Sequence, residues 1–572
     1  MVADNTHCGY GAALSRRKFV SLAGATGATA IAGCTGGGGG DDGAWFVGTQ
    51  TDFPASNYHW NLLAGWEIPH DEFGLFAQWT QYLIDDDEFH PHLIEEWTHE
   101  DGEMTLTLSE EFTWGSGDEL TAEDLAFQLE VFEAANQPVW EFIDDAEATD
   151  EYELTITYPE GTNTDLIDYS LLGYQAAYSP ENFEDEDWED DPAGIEIDDP
   201  DPSGPVALTE HNDTYSQTEP RDGLEEYADH HLAERYNWAG YRIEFRDGNN
   251  AAHDSFIADE IDGQHSLFAP PDVLEEFPDD VREFQVPGGF GMAIWFDHET
   301  EPWDQREVRQ ALYHSIDRES VITSVGESTK ISHHPAPTGL TWATVDDWLG
   351  SSEPDGFTTY DYDPDRAEEL LAEAGYEMDE IEIELTYPQT WSDWATAAQT
   401  VVDHLNEAGW DASGDPRSEG PGGYAGAGPD IFVDQHTEGG APRMNHPYFS
   451  LDYILRNRLR DTDSHFANYP TEVEIDGETI DVEDELQLLT QTEDQSDQEE
   501  IVERLARVVN EDVPCIYIME KYEQSFINET RFEIPEEESP HFSSYWPMWW
   551  LPKVDDSLDG YDTPGLLKAA DD

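Results

Sequence analysis

Nineteen tryptophans, 25 tyrosines and 25 phenylalanines are the side chains with most to offer a ligand. Many of the tryptophans stand beside turns instead of inside regular strands. Tyr58, Trp60 and Trp66 follow the first strand, Trp295 lies in a buried apolar run, and Trp391 and Trp394 flank a loop-to-helix junction. Aromatic walls with a few polar groups to fix orientation make a small-molecule site. The free amides of the helix turn after Trp391 suit an anion or a polar oxygen. Each of these rings could equally be ordinary core. The histidines His90-Pro-His92, His230-His231 and His333-His334 are pairs without the i, i+4 spacing of a His-Glu-x-x-His zinc helix. They read as structural or solvated, and no metal and no cofactor is expected. There is no Gly-x-Ser-x-Gly nucleophile elbow and no Gly-x-x-x-x-Gly-Lys-Ser/Thr phosphate loop. A hydrolase built on paired carboxylates stays open, because 130 Asp and Glu hide any special pair.

Those acids face only 24 Lys and Arg, for a formal charge of −106. A disordered tail could be this acidic but would not carry so many aromatics. The charge is spread along the whole chain, and lysine is confined to Lys18, Lys330, Lys521, Lys553 and Lys568. That pattern resembles proteins of extreme halophiles. At molar salt the Debye length is about 3 Å, which screens the self-repulsion. In dilute buffer the same charge destabilises the compact state. Nucleic acid and anionic lipid surfaces, which need basic patches, are not expected partners.

Arg16 and Arg17 precede an uncharged run of small residues, Phe19 to Gly33. The run is too short and too rich in Gly, Ala and Thr to span a bilayer, which takes about 20 apolar residues. The pair matches a twin-arginine export signal over residues 1–33. Ile31-Ala-Gly-Cys34 resembles a lipoprotein box, and Gly36–Gly40 makes the stretch 34–43 a flexible tether. The mature chain is expected to begin at Cys34, lipid-anchored on the extracellular face of the cell membrane. Of the three cysteines, Cys8 lies before the signal and Cys515 is left alone, so no internal disulfide is expected.

The elements that must position the aromatics follow from periodicity. Met104–Leu108, Tyr152–Tyr158 and Ile381–Tyr387 alternate as half-buried strands. Thr121-Ala-Glu-Asp124 is a capping box with Asp in place of Glu. Asn182–Pro202 reads as a solvated acidic loop. Helices are predicted over His253–Ala258, Trp303–Ile316, Trp394–Ala408 and Gln498–Asn510. Another starts at Asp363 as N-cap with Pro364 at N1 and stops at Gly375. Gly291–Phe296 and Asp430–Val433 read as buried strands. Strands mixed with helices in this way imply an α/β or α+β chain with more than one sheet.

Several segments together resemble solute-binding protein family 5, the oligopeptide/dipeptide receptors of ABC importers. His92-Leu-Ile-Glu-Glu-Trp97 is similar to the family's "L-A-x-x-W", and Met104–Leu125 to its strand, turn and "T-A-x-D-V" helix start. Trp303-Asp-Gln-Arg-Glu-Val-Arg-Gln-Ala-Leu312 with Ser315-Ile-Asp-Arg318 is similar to "P-F-x-D-x-R-V-R-Q-A-L-x-x-A-I-D-R". Tyr362-Asp-Pro-Asp-Arg-Ala-Glu-Glu-Leu-Leu-Ala-Glu-Ala-Gly-Tyr376 is similar to "Y-D-P-x-K-A-x-x-L-L-A-E-A-G-Y".

The resemblance implies a two-lobed α/β fold of the type II periplasmic-binding-protein kind, closing over a ligand. Lobe one would take residues 44–289 with an inserted subdomain at about 73–163, lobe two 290–520, and residues 521–572 would return to lobe one. A hinge is expected near Pro287-Gly-Gly289. Arg306 and Arg309 are expected to pair with Asp317 or to cap carbonyls. In peptide-binding members an acid after the strand matching Asp430–Val433 holds the peptide amine, and Asp434 and Glu438 stand near that place. His436 occupies roughly the position of an aromatic and is the one hint of a nickel chelate. The implied function is a monomeric receptor, not an enzyme, that binds a di- or oligopeptide, or an oligosaccharide. It would pass the solute to a permease and a separate ATPase. A structural cell-surface protein would show no cleft and no closure.

Overall fold

The computed structural model describes residues 44–50, 59–64, 71–84, 87–183, 188–222, 238–246, 248–264, 267–326, 333–418, 420, 424, 428–437, 442–456, 467–533 and 568–569. The expected signal and tether, with Arg16, Arg17 and Cys34, lie outside the described residues. So do Tyr58, Trp66, Glu438 and most of the expected C-terminal return.

Two long antiparallel strands organise the molecule. Val281–Phe296 has 16 residues and Cys515–Asn528 has 14. They pair in two stretches: Val281–Pro287 against Asn528–Tyr522, and Gly291–Trp295 against Glu520–Cys515, with a register shift between Pro287 and Gly291. The sheet they centre is ten-stranded. On one side follow Gly263–Gln264, Ala44–Gln50, Trp238–Phe245, Tyr215–Pro220 and Val206–Asn212. On the other follow Ile431–Gln435, Glu382–Pro388 and Asp411–Arg417. The fold is therefore α/β and two-lobed, with two halves joined through one shared pair of strands.

Burial explains the strand assignments. Met292, Ala293, Ile294, Trp295 and Phe296 are all fully buried, as a continuous apolar run must be when both faces of a central strand are covered. Glu103–Leu108 instead buries only Met104, Leu106 and Leu108. It belongs to a separate four-stranded antiparallel sheet with Ile94–Glu100, Glu153–Thr157 and Asp145–Asp150. The helix Ala122–Ala134, opened by the Thr121–Asp124 capping box, packs on that sheet. In the second half the helix Pro364–Ala374 starts where the Asp363 carboxylate accepts the Arg366 amide (3.0 Å) and stops at Gly375, whose φ is +90°.

Three readings change in detail. The helices over 249–257, 392–408 and 495–512 start earlier than the apolar periodicity indicates, because their polar first turns carry no hydrophobic signal. The described part of the 182–202 segment is docked, not solvated. Ile195 and Ile197 are buried, the Trp60 amide donates to the Ile197 carbonyl (2.9 Å), and Asn61 Nδ2 donates to the carbonyls of Pro192 and Ile195 (2.8 and 2.9 Å). Asp317 does not take the motif arginines. It caps the helix Arg318–Val325 through the Ser320 amide (3.1 Å), while Arg306 and Arg309 both reach Asp512 (2.8 and 2.9 Å).

Candidate functional site

The site is built where the two long strands pass from one half to the other. Glu520 sits opposite Gly291 at the register shift. A Cβ at Gly291 would collide with the Met519 carbonyl and lie 2.8 Å from His436 Nε2. No side chain fits there, so glycine lets His436 and the neighbouring strand close in. His436 follows the strand Ile431–Gln435, and its backbone amide donates to the Gly291 carbonyl (3.3 Å).

The Glu520 carboxylate collects two imidazoles. His334 Nε2 lies 3.0 Å and His436 Nε2 3.4 Å from the same Oε1, and all three side chains are buried. The His436 ring also lies against Tyr517, with centroids 4.3 Å apart. Burial pushes the His436 pKa down to about 4 even though Glu520 pulls it the other way, so its ring is neutral near pH 7. His333 is likewise lowered to about 4, by burial first and then by Arg318. Arg318 anchors this corner by donating to the carbonyls of His334 (3.1 Å) and Thr359 (3.0 Å).

The next residue along the strand, Lys521, donates to Asp393 Oδ2 (2.8 Å). Asp393 lies in the first turn of the helix Ser392–Ala408. Asn249 Nδ2, at the start of a first-half helix, donates to Ser392 Oγ in the same turn (3.2 Å). The first turn of a second-half helix is thus held by a first-half helix and by the crossing strand. Trp391 precedes that turn and meets Trp394 edge-on, with centroids 5.0 Å apart.

The sequence candidates separate accordingly. Trp391, Trp394, Asp434 and His436 belong to the elements around the crossing. Trp394 is almost fully buried, whereas Trp391 is partly exposed. Asp434 is buried opposite Ala293, and its Oδ1 accepts the Gln435 amide (2.7 Å). Trp295 is fully buried and gives its indole N–H to the Gln435 carbonyl (2.9 Å). Trp60 lies elsewhere, in the first half, where its indole N–H donates to buried Asp71 (3.0 Å). Asp71 also accepts the Ser216 hydroxyl, and burial raises its pKa to about 6.

Sequence reasoning missed Glu520, His334, Lys521 and Asp393. Lysine scarcity was a usable signal for Lys521. Nothing local marked Glu520, one acid among 130. Among the described residues no group of three His, Cys, Asp or Glu is arranged to hold a metal ion. No described helix is long and apolar enough to cross a membrane. The arrangement offers hydrogen bonds, ion pairs and aromatic faces next to the joint of two halves.

A family model described as "Bacterial extracellular solute-binding proteins, family 5 Middle" matches residues 88–439. The chain belongs to this family. Family 5 proteins are the extracellular or periplasmic substrate-binding receptors of ABC importers. The curated relatives match only in part. Heme-binding protein A of Haemophilus influenzae is 36% identical over 84 residues, 14% of this chain and 14% of that protein. A probable peptide ABC transporter periplasmic-binding protein of Sinorhizobium fredii is 29% identical over 152 residues, 26% of this chain and 27% of that protein. The chain therefore spans well under a third of either relative. A mannohexaose-bound oligopeptide ABC transporter binding protein from Thermotoga maritima shares the family 5 fold. Its TM-score is 0.73 at 18% identity, covering 92% of this chain and 98% of that one.

Proposed function

We propose that the protein is an extracellular, lipid-anchored receptor that binds a di- or oligopeptide between its two halves and delivers it to an ABC permease with its ATPase. The observation that carries this reading is the strand crossing. Glu520, Lys521 and Asp393, with His436, Trp391 and Trp394 nearby, stand where two long strands pass from one half to the other. A ligand that touches both halves gains contacts only when they close, and that differential affinity drives the closure. Asp434 and Glu438 are the candidates for the peptide amine, and the partly exposed Trp391 for a wall, with the buried Trp394 behind it. The peptide-transport assignment of the Sinorhizobium relative supports this choice. Export by the twin-arginine route behind Arg16 and Arg17, and anchoring at Cys34 as a monomer, complete the reading.

A second reading is an oligosaccharide receptor. The edge-on Trp391–Trp394 pair favours it, as does the mannohexaose bound by the Thermotoga protein. Thermal unfolding of the chain lacking residues 1–34, in molar KCl, separates the two. Added tripeptides to octapeptides are expected to raise the midpoint, by about 2.7 kcal/mol of stabilisation at a hundredfold excess over Kd. A shift with mannooligosaccharides alone moves the assignment to sugars. A shift with nickel–histidine chelates alone moves it to metal uptake. No shift with any of them, together with turnover of an added substrate, overturns the receptor reading in favour of a hydrolase.

A further inference from the structure

The tripeptide Asn-x-Ser/Thr, with any residue but proline in the middle, occurs twice in the chain, as Asn212-Asp-Thr214 and as Asn528-Glu-Thr530. In an extracellular protein it is the acceptor pattern for N-linked sugar. The two copies share a local geometry. Asn212 Oδ1 accepts the Thr214 amide at 3.0 Å, and Asn528 Oδ1 accepts the Thr530 amide at 3.0 Å. Each is an Asx turn, which occupies the side-chain oxygen and leaves Nδ2, the atom that takes a sugar, to its surroundings. Sequence and turn chemistry do not separate the two asparagines. Their surroundings do.

Asn528 is 1% exposed and ends an interior strand of the ten-stranded sheet. Its Nδ2 donates to Asp259 Oδ1 (2.7 Å), its backbone amide donates to the Asp262 carbonyl (2.7 Å), and it pairs with Val281. A transferase reaches this Nδ2 only if the corner is opened. Asn212 lies instead at a two-residue hairpin turn between Val206–Asn212 and Tyr215–Pro220, where it pairs with Tyr215. Val206–Asn212 is the outermost strand on its side of the described sheet. Asp213 and Thr214 are exposed. Asn212 Nδ2 makes a long surface bond to Glu210 Oε1 (3.4 Å) and lies beside the Tyr215 hydroxyl. The Thr214 hydroxyl, which the acceptor pattern requires, donates to Asn212 Oδ1 (2.6 Å). The turn is presented firmly. The Phe245 amide donates to the Thr214 carbonyl (3.0 Å), and the Arg242 guanidinium lies 4.6 Å over the Tyr215 ring.

We infer that Asn212 carries an N-linked sugar and Asn528 does not, the choice being made by exposure on the folded chain. This rests on the extracellular placement and on the export of a folded chain behind Arg16 and Arg17 proposed above. The donor is a sugar joined through C1 to a lipid phosphate or diphosphate and presented by a membrane transferase. The Nδ2–C1 bond forms as the C1–O bond breaks. The electron pair of the broken bond leaves with the lipid phosphate, and Nδ2 gives one proton to a base of the transferase. Nothing is oxidised or reduced. The attached sugar is bulky and hydrated. It stands at the end of an edge strand, whose unpaired N–H and C=O groups otherwise invite pairing with another chain.

The test uses the full chain isolated from the membranes of the cells that make it and cut after glutamate. The peptides His211–Glu219 and Gln524–Glu529 then hold one acceptor asparagine each. Mass spectrometry is expected to find His211–Glu219 heavier by a sugar and Gln524–Glu529 at its bare mass. Asn212→Gln and Thr214→Val each abolish the added mass, and Thr214→Ser keeps it. If Asn212→Gln does not fold, the two Thr214 variants carry the test, because the bond from the backbone amide to Asn212 Oδ1 survives in both. Sugar-bearing peptides of other exported proteins in the same digest show that the transferase is present. With those in hand, a bare His211–Glu219 overturns the site. Sugar on Gln524–Glu529 overturns selection by exposure, and folded export with it. Protease added to intact cells reads the placement separately, and a chain that stays protected overturns both the placement and the site. Ligand-induced shifts of the unfolding midpoint are a different readout, so failure to bind peptides leaves this inference standing, and the reverse.

Discussion

Asp512 and Glu520 are buried carboxylates on neighbouring stretches of the chain, and they are satisfied in opposite ways. Asp512 closes the helix Gln495–Asp512 and receives Arg306, Arg309 and the Tyr469 hydroxyl, each within 3 Å. Burial alone would raise its pKa, but the two guanidiniums and Tyr469 outweigh that and hold it below the usual range. Arg309 spends its remaining donors on the carbonyls of Trp303, Val513 and Asp512 itself. Glu520 has instead two imidazoles, and burial keeps that of His436 neutral. A clamp of permanent charges fixes the inside of the second half. At the seam between halves one partner, the His436 imidazole, is held uncharged by burial.

Asp512→Ala is expected to have the largest effect. It leaves the Arg309 guanidinium buried without its carboxylate, a loss of about 3–5 kcal/mol in denaturant unfolding at neutral pH. Glu520→Ala removes the acceptor of His334 Nε2 and leaves His436 neutral, and should cost less, about 1–3 kcal/mol. Equal losses from the two variants would remove the distinction between them.

The histidine side is sharpened by pH. His436 titrates at about 4 in the fold and near 6.5 when unfolded. The stability it contributes is whole above pH 6.5 and is lost as pH falls through 4. His436→Gln should therefore lose about 2 kcal/mol less than wild type between pH 7 and pH 4.5. Asp71 supplies the opposite sign, since burial raises it to about 6 with only neutral donors around it. Its cost grows from about pH 4 to pH 6 and then stays. Asp71→Asn should gain about 2 kcal/mol on wild type between pH 4 and pH 8, read from paired thermal or urea titrations.

The parts legible in the sequence are those whose cause is local. Asp363, Pro364 and Gly375 bound a helix by capping chemistry within a few residues, and Met292–Phe296 announces a central strand by its unbroken apolar run. The two-lobed fold came through motif resemblance, not periodicity. What was hidden depends on long separations. Asp317 and backbone carbonyls were the two expected partners of Arg306 and Arg309; both arginines do take carbonyls, but the acid is Asp512, which the Val513 turn brings beneath them. The His334–Glu520–His436 cluster joins three distant segments, and His334 looked like half of a structural or solvated pair, with nothing to mark its partner Glu520. Tryptophans beside turns did not separate wall from core: Trp60, Trp295 and Trp394 are buried, and the indoles of Trp60 and Trp295 are bonded internally.

The strand Cys515–Asn528 has a consequence for the order of synthesis. Its far end, Tyr522–Asn528, lies between Val281–Pro287 and Gly263–Gln264, as an interior strand of the first half's sheet. A ribosome delivers residues 44–287 long before it delivers those seven. Domains ordinarily fold in turn as they emerge, but this N-terminal half waits with an interior strand missing until residue 528 is made. The second half, bounded by Gly291 and Glu520, can assemble first and bring the missing strand with it. Native structure of the first half thus arrives only once residue 528 has emerged, in reverse of chain order, so any machinery that moves the folded protein must wait for that strand.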